Sequence, residues 1–426
     1  TSTSGTAVRF INEGSTNTLQ YVTLTGVNSG TSSGVILFST TTGANGNDNN
    51  TIDNCDIRDG ATTPTIGVYS LGTNTSVSTR NSGNTISNCK IFNFYNSTST
   101  ASGGYGVNLS TGSTDWTITG NSFYQTASRT SFGSGATVSG INIATLSGNN
   151  FTVSNNFLGG TAPSCGGTAY TVSSTGSVIF RGIFISVDLT TASNITGNTV
   201  RNISLTPVTT STSQGAFSIL NGWVNVNNNI IGSQSATGSI TFSTTSSNAM
   251  FSGIFAGSGS ANGNITISGN SIGGITVTGT GTPSFRGITF QSSGITSTTQ
   301  YTVTNNTIGS LTTANSIQNT ANAGVFGIVG LAAQTTSLNL ISGNTIANLT
   351  STSTGTTAAV TGIASAGSTG GYYTVLNNTI RNLSASSAPT AVGTINVVGI
   401  THTAATTAGQ NISRNTIYAL TAATTA

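Results

Sequence analysis

The sequence predicts an all-β chain, a parallel β-helix (solenoid) of about 12 three-sided coils that occupies residues 1–426 as a single domain. Three observations predict it. A six-residue phrase recurs along the chain, a Gly-apolar pair recurs between its copies, and proline stays between the predicted strands.

The phrase is apolar-x-x-Asn-x-apolar. Its Asn slot is filled by Asn121, Asn156, Asn198, Asn229, Asn270, Asn306, Asn344, Asn378 and Asn415, and two earlier copies hold Cys55 and Cys89 there. Leu19-Gln-Tyr-Val22-Thr-Leu24 is a degenerate first copy. The intervals between slots run from 31 to 42 residues and average 36. A self-similarity of that period is the mark of stacked supersecondary units.

Between phrases comes a second strand, usually Gly followed by Ile or Val. Its glycines are Gly34, Gly67, Gly106, Gly140, Gly182, Gly253, Gly287, Gly327, Gly362 and Gly399, with Phe217-Ser218-Ile219 in the missing place. A third apolar residue follows many phrases, as at Phe94, Ile203, Ile275, Leu311, Leu349, Leu383 and Leu420. Three short apolar segments separated by turns make one three-sided coil. One coil cannot bury its inward side chains, but coils stacked about 4.8 Å apart can. Stacked in register, the Asn amides can hydrogen-bond from coil to coil as a ladder. All five prolines (Pro64, Pro163, Pro207, Pro283 and Pro389) fall between a phrase and the next Gly-apolar strand, where the Thr/Ser/Gly-rich loops vary in length.

On these residues, as in Thr345-Ile-Ala-Asn-Leu349 after Ile341-Ser-Gly-Asn344, the chain resembles the pectate-lyase-like right-handed parallel β-helix repeat family. The long Ser/Thr/Asn-rich version is similar to arrays in large secreted surface proteins of Bacteroidota. That resemblance implies an extracellular or cell-surface location, often reached by type IX secretion.

Composition narrows function. Charged residues are 4% of the chain, and its net charge of +3 is scattered. No clustered basic field exists to displace counterions, so nucleic acid is not an expected partner. Apolar runs of about five residues fall far short of the roughly 20 a membrane helix needs. The three cysteines do not make a disulfide framework. Cys55 and Cys89 share a slot in adjacent coils, as stacked thiols or, less favourably for the S–S torsion, as a disulfide. Cys165 sits alone in an insertion.

Enzymes of the resembled family use carboxylate clusters or pairs. This chain has seven carboxylates and none after Asp188. Asp53, Asp56 and Asp59 form the one sequence cluster. They read as solvated outward positions, with a weak cation site as the alternative. His402 is the one histidine, with no acid near it in sequence, and reads as structural. Arg58, Arg201 and Arg381, and likewise Arg181 and Arg286, recur at equivalent places and read as rim covers whose heads bond turn carbonyls. No catalytic residue and no cofactor is expected.

The residue two after each strand glycine is expected to face outward. Ile36, Tyr69, Phe184, Leu220, Phe255 and Val329 would then make an apolar stripe, covered by loops or packed on another molecule. No cap is visible at either end, so self-association or continuation into further repeats is the expectation. The leading functional expectation is a non-catalytic structural or adhesive segment: a shaft, stalk or filament module with a surface polysaccharide or cell-surface partner. A carbohydrate-binding or polysaccharide-degrading β-helix is second, on the aromatics Tyr69, Trp116, Tyr124 and Trp223. An ice-binding solenoid is third. It requires a regular outward Thr plane, whereas Thr276-Val-Thr278 and Thr280-Gly-Thr282 are expected in loops.

Overall fold

A computed structural model describes residues 5–130, 132–174, 176–208, 213–257, 262–292, 299–332, 338–366, 371–387, 396–403 and 410–422. Pro389 lies outside the described residues. Among them the chain is all-β, with 42 strands of 2 to 15 residues and no helix. The strands pair in parallel into a β-solenoid of about 10 turns with a period of about 35 residues, fewer turns than the 12 expected.

The chain divides into two compact units: Thr1–Ile203 with Ile219–Asn225, and Ser204–Ser218 with Val226–Ala426. In the first, the phrase opens each coil in strands such as Thr85–Ser87, Thr117–Thr119 and Thr152–Ser154, so that Ile86, Ile118 and Val153 stack in register. The phrase closes in Lys90–Phe92, Ser122–Tyr124 and Phe157–Leu158, which align Ile91, Phe123 and Leu158. The Gly-apolar strands Ile66–Ser70, Ser102–Leu109, Ala136–Thr145 and Val178–Val187 form the third side, with Val68, Val107, Ile141 and Ile183 in one inward rank. All of these inward residues are buried. Full burial of one such side chain is worth about 1.5–3 kcal/mol, repeated at every coil. Phe38 stacks on Phe10 at 4.4 Å and meets the edge of Trp116 at 4.7 Å.

The second unit repeats the plan. Ile267, Val303, Ile341, Val375 and Ile412 form the opening rank, and Ile254, Ile288, Ile328, Ile363 and Ile400 form the Gly-apolar rank. The third-apolar rank runs Ile275, Ile317, Leu349, Leu383 and Leu420. Leu311, expected in that rank, is 48% exposed. The loop after it delays the strand, and Ile317 takes the place.

The Asn slot forms the expected ladder within each unit. Asn121 donates its backbone N–H (3.0 Å) and its Nδ2 (3.0 Å) to Asn156 Oδ1, and a second Nδ2 bond of 2.9 Å to the Ile86 carbonyl one coil back. Asn156 does the same to Asn198. In the second unit the pattern runs from Asn229 through Asn270, Asn306, Asn344 and Asn378 to Asn415. Two donors and one two-lone-pair acceptor are thereby used in full, which is what a buried amide requires.

The residue before the slot has a left-handed backbone, at Asn88 (φ 53), Gly120 (φ 69), Asn155 (φ 55) and Gly197 (φ 70) among others. Asn and Gly tolerate that region best. A Cβ on Gly120 would lie 2.7 Å from Asn88 Oδ1, and one on Gly197 would lie 2.5 Å from Asn155 Oδ1. Gly269 under Asn228 and Gly343 under Asn305 repeat the arrangement in the second unit, at 2.3 and 2.5 Å.

Several local expectations change. Ile36 is fully buried, not outward: it pairs with Val68, because the first coil enters its sheet one residue later, and Leu37 stands opposite Tyr69 instead. Pro207 lies within a strand, Ile203–Val208, at an exposed next-to-last position where a missing N–H matters least. Thr276 and Thr278 lie in the strand Ile275–Thr278 rather than in a loop.

Candidate functional site

The acids come first, because a polysaccharide-cleaving site would need them. Asp53 Oδ1 accepts Ser87 Oγ (2.7 Å) and Asn88 Nδ2 (2.9 Å) from the next coil, while Oδ2 accepts Asn54 Nδ2 (2.7 Å) and Gln20 Nε2 (3.3 Å). The Ser87 bond is the main cause holding its carboxyl below the ordinary range. Asp56 pairs with Lys90 at 3.3 Å. Asp59 accepts Asn93 Nδ2 at 3.0 Å and lies 3.4 Å from Arg58 Nε. Asp53 stands on the opening side of the coil, and Asp56 and Asp59 on the closing side. The sequence cluster therefore does not converge on a cation, and no group of three His, Cys, Asp or Glu does so among the described residues. Asp188 turns back on its own loop, accepting the Leu189 N–H (2.7 Å) and the Thr190 hydroxyl (2.6 Å), while the three remaining acids are used as Asp53 is. Glu13 accepts the Asn45 N–H (2.7 Å), Asp48 the Ser82 N–H (2.8 Å), and Asp115 the Asn150 amide (2.8 Å), each a coil away.

The lone histidine is a packing group. His402 Nδ1 lies 2.8 Å from Ser365 Oγ, on a serine that is fully buried, and its ring meets Tyr373 edge-on. All three cysteines are free and buried. Cys89 Sγ takes the Asn role, accepting the Cys55 N–H at 3.4 Å, and burial pushes its thiol up to about 12. Burial likewise raises Cys165 to about 11, and its Sγ donates to the Thr199 carbonyl at 3.7 Å.

The arginines act partly as expected. Arg381 Nη2 bonds the Leu311 carbonyl at 2.9 Å, and Arg80 Nη1 bonds that of Ser147. Arg58, Arg129, Arg181 and Arg286 instead lie over the rings of Phe92, Tyr95, Phe184 and Phe326, at 5.1, 5.0, 4.8 and 5.7 Å.

The proposed aromatic surface is largely interior. Trp116 is fully buried and its Nε1 donates to the Asn81 carbonyl at 2.9 Å. Tyr124 stacks on Phe92 at 4.6 Å, and Tyr69 is buried among Leu37, Leu71 and Tyr105. Trp223 remains 38% exposed, on the same strand as Leu220 at 40%. The outward stripe is interrupted as well. Asn108 and Asn142 stand between Tyr69 and Phe184, bonded to each other at 2.8 Å. Thr289 stands between Phe255 and Val329. Phe184 lies under Arg181, and Val329 is buried.

One surface went unnoticed in the sequence. On the opening side of the first unit, Thr18, Thr51, Thr85, Thr117 and Thr152 stand in register in five successive coils. Two residues on, Gln20, Asp53, Ser87, Thr119 and Ser154 form a second rank on the same face. The grid repeats about 4.8 Å between coils and about 6.6 Å along a strand. Ser154 Oγ bonds Thr119 Oγ1 at 2.9 Å. The second unit has a partial version, Thr266, Thr302, Leu340 and Thr374 beside Ser268, Thr304, Ser342 and Leu376. Its signal was the Thr before the first apolar residue of each early phrase.

Comparison with known proteins finds distant likenesses among solved structures. No protein-family model matches the chain. No curated protein matches it either. The catalytic unit of a thermostable GH87 α-1,3-glucanase from Streptomyces thermodiastaticus strain HF3-3 is 14% identical with a TM-score of 0.27, over 90% of this chain and 64% of the glucanase. The PL6 family alginate lyase AlyGC is 9% identical with a TM-score of 0.20, over 97% of this chain and 98% of the lyase. The chain thus spans less than two thirds of the glucanase structure. At these scores neither likeness carries chemistry over to this chain.

Proposed function

We propose that the chain is a non-catalytic structural or adhesive segment of an extracellular protein, a shaft, stalk or filament module. What supports this reading is how the acids are spent. Glu13, Asp48, Asp53, Asp56, Asp59 and Asp115 each fasten one coil to the next, through a partner 32 to 35 residues on. A carboxylate occupied in this way is a poor general acid or nucleophile, because its protonation or attack would break the fastening. The same logic governs the buried Asn ladder. Electron microscopy of native material, with a polysaccharide binding and cleavage screen, tests the reading. Filaments or end-to-end stacks without cleavage support it. Discrete particles that cleave a glycan overturn it, and binding through Trp223 would move the assignment to carbohydrate recognition.

A second reading is favoured by a specific observation. The in-register Thr rank of the first unit repeats a hydroxyl and a methyl at one spacing over five coils, as one row of an ice-binding solenoid would. The check is ice-recrystallisation inhibition by the intact chain. Loss of that activity in Thr117→Tyr, with the fold intact by circular dichroism, supports it; no inhibition at any concentration overturns it.

A further inference from the structure

The tetrapeptide Phe-Arg-Gly-Ile occurs twice, at 180–183 and 285–288, once in each unit. In both copies the phenylalanine is buried and the arginine lies on the outer face of the Gly-apolar sheet, over a ring of that face. In both copies the residue in register one coil back is a fully buried serine, Ser139 beneath Arg181 and Ser252 beneath Arg286. The Oγ of each serine has no hydrogen-bond partner. Around the second arginine, Thr289 Oγ1 and Arg286 Nε are also buried without a partner. Orphaned buried polar atoms are rare, and their gathering at one spot calls for a cause.

The arginines share a second property. Neither guanidinium has a hydrogen-bond or ion-pair acceptor among the described residues, although Arg58, Arg80, Arg129 and Arg381 all have one. For Arg286 no internal counter-ion is available, since no carboxylate follows Asp188. A guanidinium presents five donors in a rigid plane and matches the oxygens of a carboxylate or sulfate. Lying over the Phe184 or Phe326 ring restrains each side chain beforehand, which lowers the entropy lost on binding.

We propose that Arg181 and Arg286 mark two equivalent oxyanion-binding sites, one in each unit, that take a carboxylate or sulfate group. The arginine supplies the planar donors, and an oxygen of the bound group offers the serine hydroxyl beneath it the acceptor it lacks. This goes beyond the structural reading and does not depend on it.

The test is isothermal titration calorimetry of the whole chain at constant ionic strength, balanced with NaCl, using sodium sulfate and, separately, sodium benzenesulfonate. The expected result is two sites per chain, one in Arg181→Gln, one in Arg286→Gln and none in the double variant. Arg381→Gln, whose guanidinium serves a turn carbonyl, is expected to keep both. Arg286→Lys keeps the charge without the planar fork and is expected to weaken its site about tenfold. Benzenesulfonate binding tighter than sulfate would assign the sites to ring-borne groups, and equal binding to free oxyanions. Absence of saturable binding by either probe, or two sites persisting in the folded double variant, would overturn the proposal.

Discussion

Replacing Asn306 by Ala tests the ladder where its geometry is most complete. Asn306 is 1% exposed. Its Oδ1 accepts the backbone N–H of Asn270 at 3.0 Å and the Asn270 Nδ2 at 2.9 Å. Its Nδ2 donates to Asn344 Oδ1 and to the Ile267 carbonyl, both at 2.9 Å. Alanine deletes all four bonds and strands two backbone groups, the Asn270 N–H and the Ile267 C=O, in a site with no room for bulk water. At roughly 1–3 kcal/mol for each stranded group, the expected loss is about 2–6 kcal/mol. Asn306→Cys grades the argument, because Cys89 fills this slot naturally and its sulfur accepts the Cys55 N–H at 3.4 Å. The cysteine variant should retain part of the lost stability. Urea unfolding followed by circular dichroism, with amide exchange at Asn270, reads both. The reasoning fails if Asn306→Ala costs no more than Thr312→Ala at an exposed loop position, or if the Asn270 amide stays as protected as in the parent.

Gly120→Ala should cost about 1–2 kcal/mol in thermal or urea unfolding, because its φ of 69 is left-handed and the new Cβ displaces the Asn88 amide. The Cys89 thiol, raised from 9.0 to about 12 in the fold, contributes stability that is full below pH 9 and lost as pH climbs toward 12. Urea midpoints from pH 8 to 11 should therefore fall, and Cys89→Ser should remove that share of the fall. Asp53 has the opposite sign: its carboxyl is held below 3.8, so its contribution is present above that pH and lost as pH drops through the folded value. Asp53→Asn should flatten the acid limb of the same measurement. Thiol titration at pH 8 should find all three cysteines unreactive until denaturant is added, since each is buried.

Much of the fold was legible because inward side chains must recur at each coil, and a recurrence of Asn121, Asn156 and their equivalents survives loops of any length. The Gly rank was legible for a steric reason: a Cβ on Gly106 would lie 2.5 Å from both the Gly140 carbonyl and the Phe123 ring. What failed was local register. Ile36 and Leu311 look like members of their ranks, but one residue of slip at coil entry or one longer loop moves them out. Trp116 stands two residues ahead of the phrase, in the slot that Asn17, Asn50 and Asn84 fill in earlier coils. That slot proved interior, with its own amide ladder: Asn17 and Asn50 donate to Asn50 and Asn84 at 2.9 and 3.0 Å. The Thr rank is hard to see where Thr is abundant in strands and loops alike, and the orphaned Ser139 and Ser252 hydroxyls have no sequence signal at all.

The Asn-over-Gly contacts before the slot make coils non-interchangeable. From Asn88 to Asn377 these positions alternate strictly between Asn and Gly. The chemical repeat is thus a doublet of about 70 residues, twice the coil period. Excising a coil that bears Asn brings glycine under glycine, which is spacious. Excising one that bears Gly brings Asn305 under Asn377, where the lower amide must swing out of place. The single place where Asn follows Asn, at Asn54 and Asn88, recruits Asp53 to hold both amides, at 2.7 and 2.9 Å. A shortened or lengthened version of this protein would accordingly be cut by doublets, and duplication of a single coil would succeed or fail by which kind was copied.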